Sequence, residues 1–300
     1  PWDVGRSPGG SSGGATAALA AGLTGLEMGS DIGGSIRVPA HFCGVYGHKP
    51  TYGIVPLRGH ACAPDDAEMD ILVGGPLARR AEDLRATLEI IAGADPEVLG
   101  AWRLDLPNEE RTSLRDFRIA VTTNDASYPV DGDTSRAFED MADHLEAVGA
   151  TVLRDPALPL PSAEMWQLYL NVLRGATSCR LSDVEANAAA EQVTDYDPFD
   201  NTYGPVMLRS ISQRHQEWLQ ANDRRSRLRV LWRKFFDSVD ALISPIMATP
   251  AFPHIRGISK QDQCLDVDNV QQPISDTYFW IGLASAAYLP ATLAPVGVSR

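Results

Sequence analysis

Gly9-Gly10-Ser11-Ser12-Gly13-Gly14 and, after an alanine-rich run, Gly29-Ser30-Asp31-Ile32-Gly33-Gly34-Ser35-Ile36-Arg37 are the two segments from which the rest of the chain can be read. Each sets serine among glycines, the composition of a loop whose backbone approaches a ligand closely or points consecutive N–H groups to one side. One such glycine pair alone reads as a turn. Gly9-Gly10-Ser11-Ser12-Gly13 also fits G-x-S-x-G, the nucleophile elbow of α/β-hydrolases. That elbow follows an apolar strand, and residues 1–8 (PWDVGRSP) do not form one. A phosphate-binding loop fits no better, because Gly47 is followed by His48 where such a loop needs lysine.

The composition narrows the remaining readings. The chain has 300 residues, 44% hydrophobic and 22% charged, which supplies enough apolar surface for a folded core. With 26 Lys plus Arg against 39 Asp plus Glu, the net charge of −13 provides neither the basic face of a nucleic-acid binder nor a polybasic membrane patch. Cys43, Cys62, Cys179 and Cys264 lie far apart with no CxxC pair. That argues against a disulfide framework or zinc ribbon and for a reducing, cytoplasmic setting. The six histidines are scattered and no HExxH occurs, so no metal site is expected. The uncharged stretch Tyr278–Val298 has the length of a membrane span but is broken by Ser285, Pro290, Thr292 and Pro295; it reads as a buried strand or pocket wall. No secretory-leader pattern opens the chain.

Periodicity predicts an α/β fold. Ala15–Leu23 and Glu82–Ala92 read as helices, and residues 61–68 between them as a polar loop. Phe117–Val121 reads as a strand. Asp133 or Thr134 then caps a helix whose Phe138, Met141, Leu145 and Val148 form one buried stripe. Gly149 closes that helix and Ala150–Leu153 returns as a strand, a β-α-β unit of the kind that builds parallel sheets. Helices are also predicted over Ala163–Leu173 and, as one long element, Val206–Val239, with a strand at Ala241–Ser244. Arg224, Arg225, Arg227, Arg229 and Arg233 read as a solvated helix face rather than an anion site.

Taken together in order, GGSSGG at 9–14, GSDIGGSIR at 29–37, FCGVYGHKPTYG at 42–53 and GPLARRAEDL at 75–84 resemble the amidase signature family of serine hydrolases. Fainter echoes are LISPIMATP at 242–250 and YLPATLAPVG at 288–297. The resemblance implies a mixed β-sheet core covered by helices on both faces, in one domain over 1–300, and hydrolysis of a small-molecule carboxamide, or sometimes an ester, without a cofactor. It implies Ser35 as nucleophile and Ser11 as the cis-serine that relays a proton between Ser35 and a lysine. The N–H groups of Ile32, Gly33, Gly34 and Ser35 become the oxyanion hole, an arrangement in which one donor is worth about 3 kcal/mol. Ser12, Ser30, Asp31 and Arg37 are expected to support the loop, Ser12 and Ser30 by satisfying backbone groups. Cys43, beside apolar Phe42, is expected to be a buried small residue rather than a thiol nucleophile. His48 is expected to pack, and His41 lies close enough in sequence to line a pocket.

The family's general base is a lysine in an apolar strand well before the first serine loop, and the lysines here are Lys49, Lys234 and Lys260. Lys49 matches the structural lysine of KPT, and the other two read as solvated. The expected domain is therefore partial, with the upstream lysine region and the family's last stretch outside the chain, and this chain alone is expected to turn over amides poorly. Two other readings compete. One is the amidotransferase subunit that supplies ammonia for charged-tRNA amidation, although Gly53-Ile54-Val55-Pro56 departs from the Arg-Val-Ser that usually follows TYG there. The other is an inactive scaffold that retains the loops. Residues 54–74 and 165–203 are expected to form pocket walls, with Trp166, Tyr169, Tyr203, Phe279 and Trp280 as apolar contacts. A homo-oligomer is compatible with this reading, but no residue pattern dictates one.

Overall fold

The computed structural model describes residues 3–60, 67–95, 97–101, 103–259 and 262–298. Cys62, most of the predicted 61–68 loop, and Lys260 lie outside the described residues. The chain begins with α1 (Gly13–Ala20), β1 (Leu26–Asp31), α2 (Arg37–Cys43), β2 (Tyr46–Lys49), β3 (Val73–Ala78) and α3 (Ala81–Ile91). Both serine-glycine loops thus stand at helix starts, one before α1 and the other joining β1 to α2. The β-α-β unit follows as β4 (Arg118–Val121), α4 (Gly132–Ala147) and β5 (Thr151–Arg154). Then come α5 (Ser162–Thr177), α6 (Asp183–Gln192), α7 (Tyr203–Ile211), α8 (His215–Phe236), β6 (Ala241–Ile243), β7 (Cys264–Val267), β8 (Val270–Pro273), α9 (Phe279–Ser285) and β9 (Ala291–Leu293).

The mixed α/β architecture is as the sequence predicts, with its strand pairings divided by type. An antiparallel sheet runs β1-β3-β2-β9, a parallel sheet β5-β4-β6, and β7-β8 is a hairpin. β3 is buried along its whole length. Its Gly75 lies against Ile36 and the carbonyl of His48, while Gly74 lies against Leu57, so neighbouring residues face opposite sides as the strand period requires. Leu19 from α1, Ile36, Ala40 from α2 and Leu77 from β3 make one cluster without exposed surface. A second, larger cluster joins Trp166, Tyr169 and Val172 of α5 to Leu228 and Trp232 of α8 and Phe279, Trp280 and Ile281 of α9. The run from 278 to 298 thus contains the buried helix α9 and the edge strand β9, and its last residues are largely exposed. Among the described residues no helix is long and apolar enough to cross a membrane.

Three local expectations change. Asp131, not Asp133 or Thr134, caps α4, its side chain accepting from Thr134 N at 2.7 Å. The predicted long helix is two, because the Gln213 amide donates to the carbonyls of Ser210 and Asn171. Glu217 then reaches back to Arg214 N at 2.7 Å and starts α8 afresh. Arg225 departs from the solvated face. It is 2% exposed and paired with Asp70 at 2.7 Å, whereas Arg224, Arg227, Arg229 and Arg233 are exposed as expected.

Leu77→Ala should cost about 2–5 kcal/mol in urea or guanidinium unfolding, the range for a truncated core leucine whose site cannot collapse. A loss below about 1 kcal/mol would mean that the sheet–helix contact around Leu77 is not a stabilising core.

Candidate active site

The geometry begins with Asp31, the last residue of β1. It is fully buried, and its oxygens accept from Gly34 N (2.9 Å), Ile36 N and Arg37 N (each 3.3 Å), Arg37 Nε (2.9 Å) and Arg37 Nη2 (3.0 Å). Arg37, 1% exposed, also donates Nη1 to Ile281 O at 3.0 Å and Nη2 to Ser285 Oγ at 2.7 Å, which ties the loop to α9. Burial raises the Asp31 carboxyl, but the Arg37 charge and hydrogen bond, the Lys49 charge and the Gly34 N–H together bring it below its ordinary 3.8. Asp31 and Arg37 therefore brace the loop, as expected of them.

The brace folds 31–37 into a tight turn. Gly34 has φ +91°, and a Cβ there would stand 2.6 Å from Ile281 Cδ1, so glycine is required both for backbone and for space. Ser35 emerges partly exposed at the end of this turn. The Gly34 N–H, expected among the oxyanion donors, is engaged by the Asp31 carboxylate in this structure. The N–H groups of Ile32, Gly33 and Ser35 make no hydrogen bond to a described residue.

The first loop packs against the second through Ser12 N, which donates to Ser35 O at 3.2 Å. The Gly10–Ser11 peptide is cis, and Ser11 is exposed. The Ser11 and Ser35 hydroxyls share no direct hydrogen bond, so a relay between them needs a bridging water or a rotamer change. Ser12 supports the loop through its backbone, its carbonyl also accepting Thr16 N and Thr16 Oγ1. Ser30 does not play the expected part: it pairs opposite Gly74 in the sheet, and its hydroxyl bonds to no described residue.

Lys49, His48, His41 and Cys43, also near the loops, are held by contacts within the protein. Lys49 is 1% exposed and donates Nζ to Pro50 O at 2.9 Å; burial first, and then Arg37, push its amine down to about 7. His48 bonds Thr292 Oγ1 through Nδ1 at 2.8 Å and so joins β2 to β9, a role beyond packing; burial, then Lys49, lower it to about 4. His41 contacts Thr249 O at 3.1 Å, and burial lowers it as well. Cys43 is 2% exposed and burial raises its thiol, in line with a packing residue. Sequence reasoning missed Ile281 and Ser285, whose only signal was the apolar run that contains them. It anticipated Tyr169, whose hydroxyl lies 3.7 Å from the Cβ position of Gly33, beside Leu173 at 3.9 Å.

Comparison with known proteins identifies the family and the fold. A family model described as Amidase matches residues 1–299. The chain is 32% identical over 278 residues to the A-type subunit of a glutamyl-tRNA(Gln) amidotransferase from Synechococcus sp. (strain JA-2-3B'a(2-13)), covering 84% of this chain and 52% of that protein. It is 29% identical over 299 residues to an indoleacetamide hydrolase of Bradyrhizobium japonicum, covering 99% of this chain and 61% of that protein. The solved structure of the corresponding A-type subunit from Thermotoga maritima superposes with a TM-score of 0.74 at 25% identity, over 100% of this chain and 61% of that one. A bacterial aryl acylamidase shares the fold, with a TM-score of 0.72 at 20% identity, over 99% of this chain and 60% of that one. The chain thus spans between half and two thirds of the length of these relatives.

Arg37→Met should destabilise the protein by about 3–5 kcal/mol in denaturant unfolding, because Asp31 is left as an uncompensated buried charge, and adding Asp31→Asn should restore part of the loss. A single-mutant effect under about 1 kcal/mol would show that the pair does not hold the loop. His48 titrates in a different window. Its folded value lies below the unfolded 6.5, so its contribution is complete above 6.5 and is lost as pH falls towards about 4. Melting temperatures followed across that window should fall less steeply in His48→Leu than in the parent chain; parallel curves would count against the assignment.

Proposed function

The chain belongs to the amidase (amidase signature) family, and on that premise we propose that it is the serine-loop portion of an amide-hydrolysing enzyme in which Ser35 is the nucleophile. The observation that carries the reading is the Ile32–Ser35 turn, where a partly exposed serine stands among three unspent N–H groups on a buried ionic brace. In this reading Ser35 Oγ adds to the amide carbonyl while its proton passes towards Ser11. The carbonyl oxygen gains the electron pair and is held by the Ile32, Gly33 and Ser35 N–H groups. Collapse breaks the C–N bond, and the amine leaves with the relayed proton. Water then cleaves the Ser35 ester by the same route in reverse.

Serine needs a base to be nucleophilic at neutral pH. Lys49 is committed to the Pro50 carbonyl and Lys234 is exposed on α8, so the reading assigns the base to neither. It follows the family in drawing the base from a lysine outside these residues. A second reading is kept because a 32% identical relative is the A-type subunit of an amidotransferase: ammonia release from glutamine for use by a partner enzyme. The two readings share the chemistry at Ser35 and differ in whether glutamine outcompetes aryl and alkyl amides as substrate.

In a longer version of the protein that carries such a lysine, a fluorophosphonate probe should form an adduct on the peptide that contains Ser35, located by mass spectrometry, and Ser35→Ala should abolish it. Ser11→Ala should slow labelling by roughly 10²–10⁴-fold, the contribution of proton-transfer assistance, and Lys49→Met should leave labelling of the folded protein in place. An adduct on Ser11 or Cys43 would refute the assignment.

A further inference from the structure

The chain is acidic, yet α8 shows solvent a run of positive charge. Its Ala221, Arg225, Leu228 and Trp232 are buried, and the other side of the helix is open. Leu219 and Val230, eleven residues and so about three turns apart, lie along one exposed line. Arg227 and Lys234 flank that line on one side, Arg229 and Arg233 on the other, and all four are exposed. Asp223 also lies on this side of the helix. Elsewhere exposed arginines find acids: Arg58, Arg111, Arg118 and Arg154 each have a carboxylate at 2.6 to 3.2 Å. Arg227, Arg229, Arg233 and Lys234 form no ion pair with a described residue, although acids outnumber bases 39 to 26 in the chain.

A surface of complementary character belongs to α6 and the turns after it. α6 packs on α7, while α7 and α8 both pack on α5. Residues 178–202 hold six carboxylates against a single basic residue, Arg180. Glu191 and Asp195 form neither an ion pair nor a side-chain hydrogen bond with a described residue. Large apolar side chains stand exposed among these acids: Phe199 at 87%, Val184 at 78%, and Tyr196. Val184 and Glu191, seven residues apart, share one side of α6, a helix in which only Ala189 is buried. Apolar groups exposed to that extent and rimmed by charge have the composition of a docking surface.

We propose that the acidic, apolar segment 183–199 of one copy of this chain docks on the outward face of α8 in a second copy, and reciprocally, making a twofold dimer. The exposed apolar side chains of the two surfaces supply the centre of each contact, and the carboxylates and basic side chains its rim. Reciprocal pairing uses both surfaces of both copies, so the assembly closes and does not propagate. Charge favours a second copy over other occupants. A nucleic acid or an anionic lipid surface would suit α8 but would be repelled by the rest of a chain of net charge −13. The occupant has to be locally acidic and apolar, and segment 183–199 is both. The inference goes beyond the chemistry at Ser35 and does not depend on it, because neither surface includes a residue of the serine loops.

The test is sedimentation equilibrium of the full chain at micromolar concentration. A dimer is expected at low salt, with its dissociation constant raised about tenfold or more in about 0.5 M sodium chloride. Two charge-reversed variants separate the surfaces: Arg227→Glu with Arg233→Glu on α8, and Glu191→Lys with Asp195→Lys on the acidic segment. Each variant alone should be monomeric, because like charges then face each other. An equimolar mixture should dimerise again, because in the mixed pair both contacts join opposite signs. Phe199→Ser should weaken the parent dimer about tenfold or more. All these positions are exposed, so circular dichroism should be unchanged in every variant. A parent chain that is monomeric at low salt, a dimer that survives either reversal, or a mixture of folded variants that stays monomeric would overturn the pairing. A monomeric chain retained through Arg227 on heparin or on phosphatidylserine vesicles would also overturn it, giving the α8 face to a polyanion or a membrane.

Discussion

The Asp31–Arg37 pair is the interaction on which the candidate site depends. Asp31 ends a strand, Arg37 begins a helix, and between them the chain must reverse within five residues while both charges stay out of water. That is tolerable only because each charge is saturated: the carboxylate by three backbone N–H groups and the guanidinium, the guanidinium by the carboxylate, Ile281 O and Ser285 Oγ. Breaking such a pair is far more costly than never having built it, so the loop has one well-defined shape. Ser35 and the unspent N–H groups inherit their positions from that shape. A preorganised set of dipoles stabilises developing charge at no reorganisation cost, which is where a rigid loop is chemically useful.

The same economy explains what lies around the loop. At Gly34 the Ile281 side chain of α9 packs against the turn, and the absence of a Cβ lets the two meet. Lys49 and His48 follow one another on β2 and take different parts. One closes the strand end on the Pro50 carbonyl and the other joins the neighbouring strand through Thr292. Both are held well below their ordinary basicity, by burial first.

Much of this was legible in the sequence because it is encoded locally. The serine-glycine loops, the stripe of Leu145 and its neighbours on α4, the helix-closing Gly149 with φ +97° and the parallel pairing of β4 with β5 all follow from signals within a few residues. The resemblance to amidase signature proteins likewise rested on contiguous motifs, and the family comparison covers nearly the whole chain. Local signals also misled where they were incomplete. Asp131 stood two residues from the expected cap, and nothing in the apolar periodicity marked the break at 212–214, which depends on Gln213 reaching Asn171 on another helix.

By itself, then, the sequence determined the fold class, the two loops and the serines they carry, since these depend on backbone freedom and periodicity that neighbouring residues specify. Only the tertiary structure decided how the groups are spent. Arg225 is buried because Asp70, 155 residues earlier, reaches it, and Arg37 is saturated because Ile281 O and Ser285 Oγ, 244 and 248 residues later, accept from it. The physical reason is that a charge or an N–H has one of two fates, paired or available. Which fate applies is set by atoms brought within about 3 Å by packing, a distance that sequence separation does not encode.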